Sequence, residues 1–298
     1  MIEVRALIFR NTKLFFKDKG MFFTSLITPL ILLVLYATFL GNIYRDSFTA
    51  SIPEGLMMPD DVIDGCVGGQ LISSILAVSC VTVSFCCNML MVQDKAMGVY
   101  RDLTITPVKR SALALSYYCA TLISSLIICF AAMAVCLIYL AVVGWYLSAM
   151  DVLLLSLDVF LLVMFGTALS SAICFFLSSQ GQISAVGTII SSGYGFICGA
   201  YMPISQFSDG LQKVISFLPG TYATALVRNH AMRGVFEKLG SLGLPNDSLQ
   251  MMRDSIDCNL YFFGARVALP VMYLILGGSI AACVAIYILL NVKRSKIK

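Results

Sequence analysis

Apolar residues run through this chain in six long blocks, at residues 21–40, 67–92, 112–143, 152–177, 183–201 and 269–290, separated by shorter polar stretches. Each block is close to or above the roughly 20 residues an α-helix needs to cross a bilayer. The pattern predicts six membrane-spanning helices, because a helix satisfies its own backbone hydrogen bonds in lipid. The third block exceeds 30 residues and is expected to tilt or to project beyond the bilayer. Pro29 lies inside the first block and predicts a bend there. Residues 1–19 follow a helical period instead: Val4, Leu7, Ile8, Asn11, Leu14 and Phe15 share one face, and Arg10, Lys13 and Lys17 the other. That layout predicts a helix lying flat at the membrane interface with Phe15 and Phe16 as anchors, or else a basic flank that only sets topology. In the fifth block, Ser191, Ser192, Gly193 and the Gly195-x-x-x-Gly199 pair permit close helix packing, either within the chain or between copies.

Composition sharpens the class. With 59% hydrophobic and 12% charged residues and a mean hydropathy of +0.90, the chain lies far from soluble proteins, which carry about 25% charged residues. The fold class is all-α, a polytopic membrane protein read as a single transmembrane domain. The net charge of +4 sits in the flanks of the spans and predicts no nucleic-acid partner. By the positive-inside rule, the basic residues place residues 93–110 and both termini, including Lys293, Arg294, Lys296 and Lys298, in the cytoplasm. The acids Asp46, Glu54, Asp60, Asp61 and Asp64 place the loop at 42–65 outside the cell membrane. The region 203–268 is expected to be external as well. No signal-peptide cleavage pattern follows the first block, so a retained span is expected. Of eleven cysteines, nine fall in apolar blocks and behave as small hydrophobes; Cys66 and Cys258 fall outside and are available to pair. His230 is the single histidine and no Cys-x-x-Cys occurs, so no metal site is expected.

Two features carry candidate chemistry. The stretch Gln93–Arg110, QDKAMGVYRDLTITPVKR, is the long polar interruption of the first half. A short helix over 94–103 places Met97, Tyr100 and Leu103 on one stripe, and Thr106-Pro107 stops it. Read alone, it is either an ordinary basic loop or a plug for a soluble partner. Asp158 is an intramembrane acid about 10 Å from the outer end of its span. It either lines an outer vestibule or reaches the headgroups.

The first stretch, an acid followed by Lys95, Gly98, a hydrophobic residue, Arg101, Leu103 and Thr106-Pro107-Val108, resembles the cytoplasmic loop of ABC type-2 permeases, the membrane subunits of drug, antibiotic and polysaccharide exporters. Gln93-Asp94 stands where that family usually has Glu. A second stretch, GAYMPISQFSDGLQKVISFLPGTYATALVR, is similar to the segment that follows the fifth span in the same family. The resemblance implies that Asp94, Lys95, Gly98, Val99, Tyr100, Arg101, Leu103, Thr106 and Pro107 couple to an ATP-hydrolysing subunit. It also implies that Gly199, Tyr201, Pro203, Leu218, Pro219, Thr221, Tyr222 and Arg228 build an external gate from short re-entrant helices between spans five and six. Pro29 and Asp158 are candidates for the pathway. The implied function is the permease of an ATP-driven exporter for an amphipathic or hydrophobic drug, antibiotic, lipid or peptide. Its partners would be a separate ABC ATP-binding subunit, a second permease copy in a homodimer, and membrane lipid. No Gly-x-x-x-x-Gly-Lys-[Ser/Thr] loop is present, so no cofactor is expected on this chain, and ATP with Mg would bind the partner subunit. The alternatives are a secondary transporter or channel, and a non-transporting membrane scaffold or immunity protein.

Overall fold

The chain is helical almost throughout, as the apolar blocks predict. The computed structural model describes residues 2–53 and 58–296; Met1, Glu54 and Lys298 lie outside the described residues. Helix α1 (Ile2–Lys17) is followed by α2 (Lys19–Leu35), whose N-cap Asp18 accepts a hydrogen bond from the Met21 N–H at 3.1 Å. Helix α2 contains Pro29 and runs through a π-helical turn (Tyr36–Leu40) into α3 (Gly41–Ala50). Helix α4 (Asp60–Ala96) precedes the short α5 (Val99–Ile105), the long α6 (Arg110–Val143) and α7 (Ala149–Cys174). Then come α8 (Gln180–Ile197), a 3-10 turn (Ile204–Gln206), α9 (Asp209–Ile215), α10 (Pro219–Ser241) and α11 (Asn246–Ser255). A two-stranded antiparallel hairpin, β1 (Tyr261–Phe262) and β2 (Ala265–Arg266), leads into α12 (Leu269–Lys296).

Three boundaries depart from the expectation. Most of the loop expected at 42–65 is helical: α3 reaches Ala50 and α4 starts at Asp60. Asp60 and Asp61 suit the first turn of a helix, where the macrodipole favours negative charge. Arg45 on α3 pairs with Asp60 at 2.6 Å and with Asp64, so the acids bind this end of the bundle together. Second, five described helices are long and apolar enough to cross a membrane: Lys19–Ala50, Asp60–Ala96, Arg110–Val143, Ala149–Cys174 and Leu269–Val292. Helix α8, in the block expected to be the fifth of six spans, is not among them; it has 18 residues and includes Gln180, Gln182, Ser184, Thr188, Ser191 and Ser192. Third, the region expected to hold only short helices between spans five and six contains the 23-residue α10 beside the short α9 and α11.

The organisation is concentric around α4. Its most apolar window is 89% buried, against 17% for α12, and α2, α6, α7, α8 and α10 pack around it. Small residues make this possible, because they let helices approach closely without voids. A Cβ on Gly69 would sit 3.1 Å from the Ala231 carbonyl of α10, and one on Gly166 of α7 would sit 3.0 Å from the Val81 Cα. Two of the hydroxyls on α4 bond back to their own helix, Thr82 to Val78 O at 3.0 Å and Ser84 to Cys80 O at 2.7 Å. Asn88 crosses instead, donating to Ser170 and Ser171 at 3.1 Å each. Gly195 and Gly199 do not form a helix–helix seam. The Tyr201 ring folds back over Gly195, where a Cβ would stand 2.3 Å from it, and Gly199 lies past the end of α8 with φ +73°.

Burial of α10 explains why its sequence misleads. Its polar residues Arg228, His230 and Arg233 each meet an acid from elsewhere in the chain: Asp257, Asp158 and Asp151 respectively. A helix with little net hydrophobicity is buried because its charges are compensated across distant segments.

Candidate functional site

The segment expected to couple begins differently from its prediction. Helix α4 continues to Ala96, so Asp94 and Lys95 belong to its last turn and not to the short helix. Gly98, at φ +83°, takes the left-handed conformation that ends α4, and the Gly98 N–H donates to the Lys95 carbonyl at 3.3 Å. Helix α5 then spans 99–105 and stops before Thr106-Pro107, with Thr106 extended. The new start shifts the stripe. Tyr100 and Leu103 pack toward Met91, Val92, Leu113 and Tyr117, whereas Met97 points away and is 65% exposed.

Asp94 and Lys95 face inward. Asp94 is buried, and its Oδ2 accepts from the Tyr117 hydroxyl at 2.5 Å and from Arg10 Nη1 at 3.0 Å. This ties α1, α4 and α6 together. Lys95 Nζ donates to the carbonyls of Cys174 and Phe175 at 2.9 Å and of Leu177 at 3.2 Å. A cation at carbonyls ending a helix also meets the negative end of its dipole, so Lys95 fastens α4 to the end of α7. Asp94, expected to couple, is therefore enclosed within the bundle. Of the other coupling residues, Gly98, Val99, Tyr100 and Leu103 are half-buried, and Arg101, Thr106 and Pro107 are exposed. Ile105, 77% exposed, was absent from the expected set. Its signal lies only in the true start of α5, which Gly98 sets.

Beside this foot lies a groove of about 500 Å³ between α2, α4, α8 and the end of α7. Thr24, Phe85, Cys86, Met89, Val186 and Ser192 are among its walls, and no Asp, Glu, Lys, Arg or His is among the described residues that line it. Pro29, buried within α2, is not part of the lining, and neither is Asp158.

The residues expected at the gate come together some 22 residues earlier along α4, roughly 33 Å from its end at the helical rise. Arg228 is their hub and is 1% exposed. Nη1 donates to the Ile256 carbonyl at 2.6 Å, Nη2 to the Gly199 carbonyl at 2.8 Å and to Ser74 Oγ at 3.5 Å, and Nη1 stands 3.6 Å from Asp257 Oδ2. Asp257 Oδ2 in turn accepts from the Ile204 N–H at 2.8 Å. Around this hub, Tyr36 donates to the Ala200 carbonyl at 3.3 Å, Thr221 to Ile215 O at 3.2 Å and Tyr222 to Ser216 O at 2.5 Å. Tyr201 donates to Ser191 O at 3.3 Å, Leu218 caps α10 and Pro219 is its first residue. Pro203 precedes the 3-10 turn. Asp257, the counter-ion that orders this cluster, was missed; nothing in its local sequence marks it. Cys66 and Cys258 are free thiols, each buried in the core, so the disulfide is not formed.

Burial pushes the Asp257 carboxyl up to about 6, against the opposing pull of Arg228 and two backbone N–H groups. An acid whose folded pKa is raised favours the folded state fully below its unfolded value near 3.8 and loses that contribution as pH rises through about 6. Thermal unfolding in detergent should therefore show this group's contribution falling between pH 4 and 6, by on the order of 3 kcal/mol. Asp257→Asn should flatten that slope; an unchanged slope would refute the assignment.

Asp158 proves to be buried at 1% exposure. Oδ2 lies 2.5 Å from His230 Nδ1, and Oδ1 accepts from Tyr273 at 2.6 Å, joining α7, α10 and α12. It reaches neither a vestibule nor headgroups.

A bundle of long apolar helices around one buried span, with an uncharged groove among them, defines a multi-pass membrane protein of the permease class. The chain belongs to the ABC-2 type transporter family, whose model matches residues 2–231. It is the membrane permease of an ABC transporter, and permeases of this family work with ABC ATP-binding subunits. No curated protein matches the chain.

Proposed function

We propose that this chain is the permease of an exporter driven by a separate ATP-binding subunit, which docks on Met97, Arg101, Ile105 and Pro107. One observation carries the reading. An exposed apolar tip, Met97 and Ile105, terminates the same helix system whose Thr82, Phe85, Cys86 and Met89 line the groove. Met89 and Ala96 are seven residues, about 10 Å, apart on one continuous helix. Displacement of the tip would reach the groove through the single turn at Met97-Gly98 that joins α5 to α4. The groove's apolar walls and hydroxyls suit a neutral amphipathic substrate, moved outward across the cytoplasmic membrane with both termini inside. A second copy, in a homodimer, would complete a pathway along the exposed faces of α2 and α8. ATP and Mg belong to the partner.

The test is Ile105→Asp together with Arg101→Glu, in the permease copurified with its ATPase. Neither side chain is buried, so the melting temperature should stay within about 1 °C while transport-coupled ATPase activity falls about tenfold or more. Full coupling in both variants rejects the docking surface. Lys95→Met, by contrast, should lower stability first. A proton-driven transporter is the second reading, favoured by the buried Asp158–His230 pair. Substrate movement in vesicles that requires a proton gradient and no ATP would establish it.

A further inference from the structure

The hairpin between α11 and α12 lies beyond the family match, which ends at residue 231. Its strands pair Tyr261 with Arg266 and Phe262 with Ala265, leaving Phe263-Gly264 as a two-residue loop. The Val267 N–H closes the base by donating to the Leu260 carbonyl at 2.8 Å. Both loop residues have positive φ, +49° at Phe263 and +86° at Gly264. That is the type I′ pattern, for which Asn-Gly is the favoured pair. A left-handed backbone is costly for a bulky residue, yet the Phe263 ring recovers little burial there and is 65% exposed. Two more exposed rings meet it edge to face: Phe262, with centroids 4.8 Å apart, and Phe217, just past α9, at 6.1 Å. Phe217 and Phe262 are themselves 5.3 Å apart. Three clustered aromatic rings at a strained, exposed tip are unfavourable in water and mark a surface that something apolar covers.

The height of this tip in the bundle identifies the cover. Helices α7 and α12 both run from the end remote from α5 toward it: Lys95 meets the last turn of α7, and the Tyr287 hydroxyl of α12 donates to the Ala114 carbonyl near the start of α6 at 3.2 Å. The Tyr273–Asp158 bond sets their stagger. Asp158 is nine residues, about 14 Å, along α7 from Ala149, and Tyr273 is four residues, about 6 Å, along α12 from Leu269. Leu269 thus lies about 8 Å deeper than the start of α7, whose preceding turn carries Trp145 and Tyr146, residue types that sit at membrane–water interfaces. The hairpin ends three residues before Leu269 and so stands at the interface itself. Its exposed surface also continues into that of α12. From Tyr261 to Val271 every residue is exposed except the half-buried Val267, and Leu274 beyond them is 74% exposed on a span-length apolar helix. Arg266, exposed beside the rings, can reach lipid phosphates while its stem stays with them.

We propose that Phe262 and Phe263, with Phe217 behind them, form a membrane anchor that inserts into the headgroup region of the leaflet at this end of the bundle. The partner is the bilayer surface, and the anchor fixes the height of the segment joining α10 to α12 whatever drives transport. Aromatic rings at this depth keep their faces in the acyl boundary and their edges near the headgroups.

The test places one fluorophore at the tip. Trp145 is the single tryptophan, so Phe263→Trp in a Trp145→Phe background reports the hairpin alone. The purified full-length chain is reconstituted in vesicles of phosphatidylcholine and phosphatidylglycerol. Bromines near the top of the acyl chains, about 5–10 Å below the headgroups, should quench the emission at least about twofold and more than bromines at the chain ends. Iodide on both sides of the membrane should quench it less than half as well as free tryptophan. Strong iodide quenching without bromolipid quenching would put the tip in water. Protection from both would put it against protein, either a second copy or another chain. Each of these results overturns the anchor. Should Phe263→Trp fail to fold, Phe217→Trp in the same background leaves the hairpin native and is read by the same two quenchers.

Discussion

Replacing Arg228 with methionine is expected to cost about 3–5 kcal/mol at neutral pH, the usual consequence of removing one partner from a buried ion pair. Methionine fills most of the volume, so the loss is electrostatic and not a cavity. The Gly199 and Ile256 carbonyls lose the donors that now approach to 2.8 and 2.6 Å, and the buried Asp257 loses its cation. The three groups come from the end of α8, the end of α11 and the turn after it, so the whole cluster loosens together. Protonation of Asp257 relieves part of the penalty. Without the pull of Arg228 the carboxyl lies above the wild type's value of about 6, so the deficit relative to wild type should shrink as pH falls toward about 6 and level off below it. Thermal unfolding in detergent at pH 7.5 and pH 5 measures both effects. A deficit under about 1 kcal/mol at pH 7.5, or one that grows on acidification, would show that Arg228 is not the hub.

Gly234→Ala should be at least as damaging. A Cβ on Gly234 would lie 1.8 Å from the carbonyl oxygen of Tyr146 and 2.8 Å from its carbon. Both are backbone atoms of the tight turn between α6 and α7, so no rotamer change can make room. Helix α10 must retreat, and the Arg233–Asp151 pair one residue earlier, at 2.7 Å, opens with it. Overpacking typically costs 1–3 kcal/mol and more where backbone is struck, so a loss of about 3 kcal/mol or above is expected. Gly240→Ala in the same helix is the control. Its nearest neighbour would be the flexible Leu249 Cδ1 at 3.5 Å, and alanine is the better helix former by about 1 kcal/mol. Unfolding curves should move in opposite directions for the two variants; similar shifts would refute the packing of α10 on this turn.

The contrast between α4 and α10 shows what local pattern can and cannot reveal. Helices α4, α6, α7 and α12 were legible because their runs of apolar residues are long enough to cross a bilayer by themselves. Helix α10 was hidden. Nothing near Arg228, His230 or Arg233 announces Asp257, Asp158 or Asp151, and burial follows only once the distant acids are in place. At the foot, Thr106-Pro107 marked the end of α5, but Gly98 marked its beginning more strongly than the heptapeptide's own composition did. A reading that starts the helix at Asp94 turns Asp94 and Met97 to the wrong neighbours. The groove was legible only as a list of spans, because its walls come from α2, α4 and α8 and no segment predicts how far apart they stand.

Asp94 and Lys95, adjacent and opposite in sign, grip in different directions: one toward α1 and α6, the other toward the tail of α7. A load applied at the tip cannot bend one rod while its neighbours stand still, since that would strip a carboxylate and an ammonium of their partners at once. The end of the bundle must travel as a single stiff plate, with the strain absorbed farther up, where Pro29 and the π-helical turn at Tyr36–Leu40 interrupt α2.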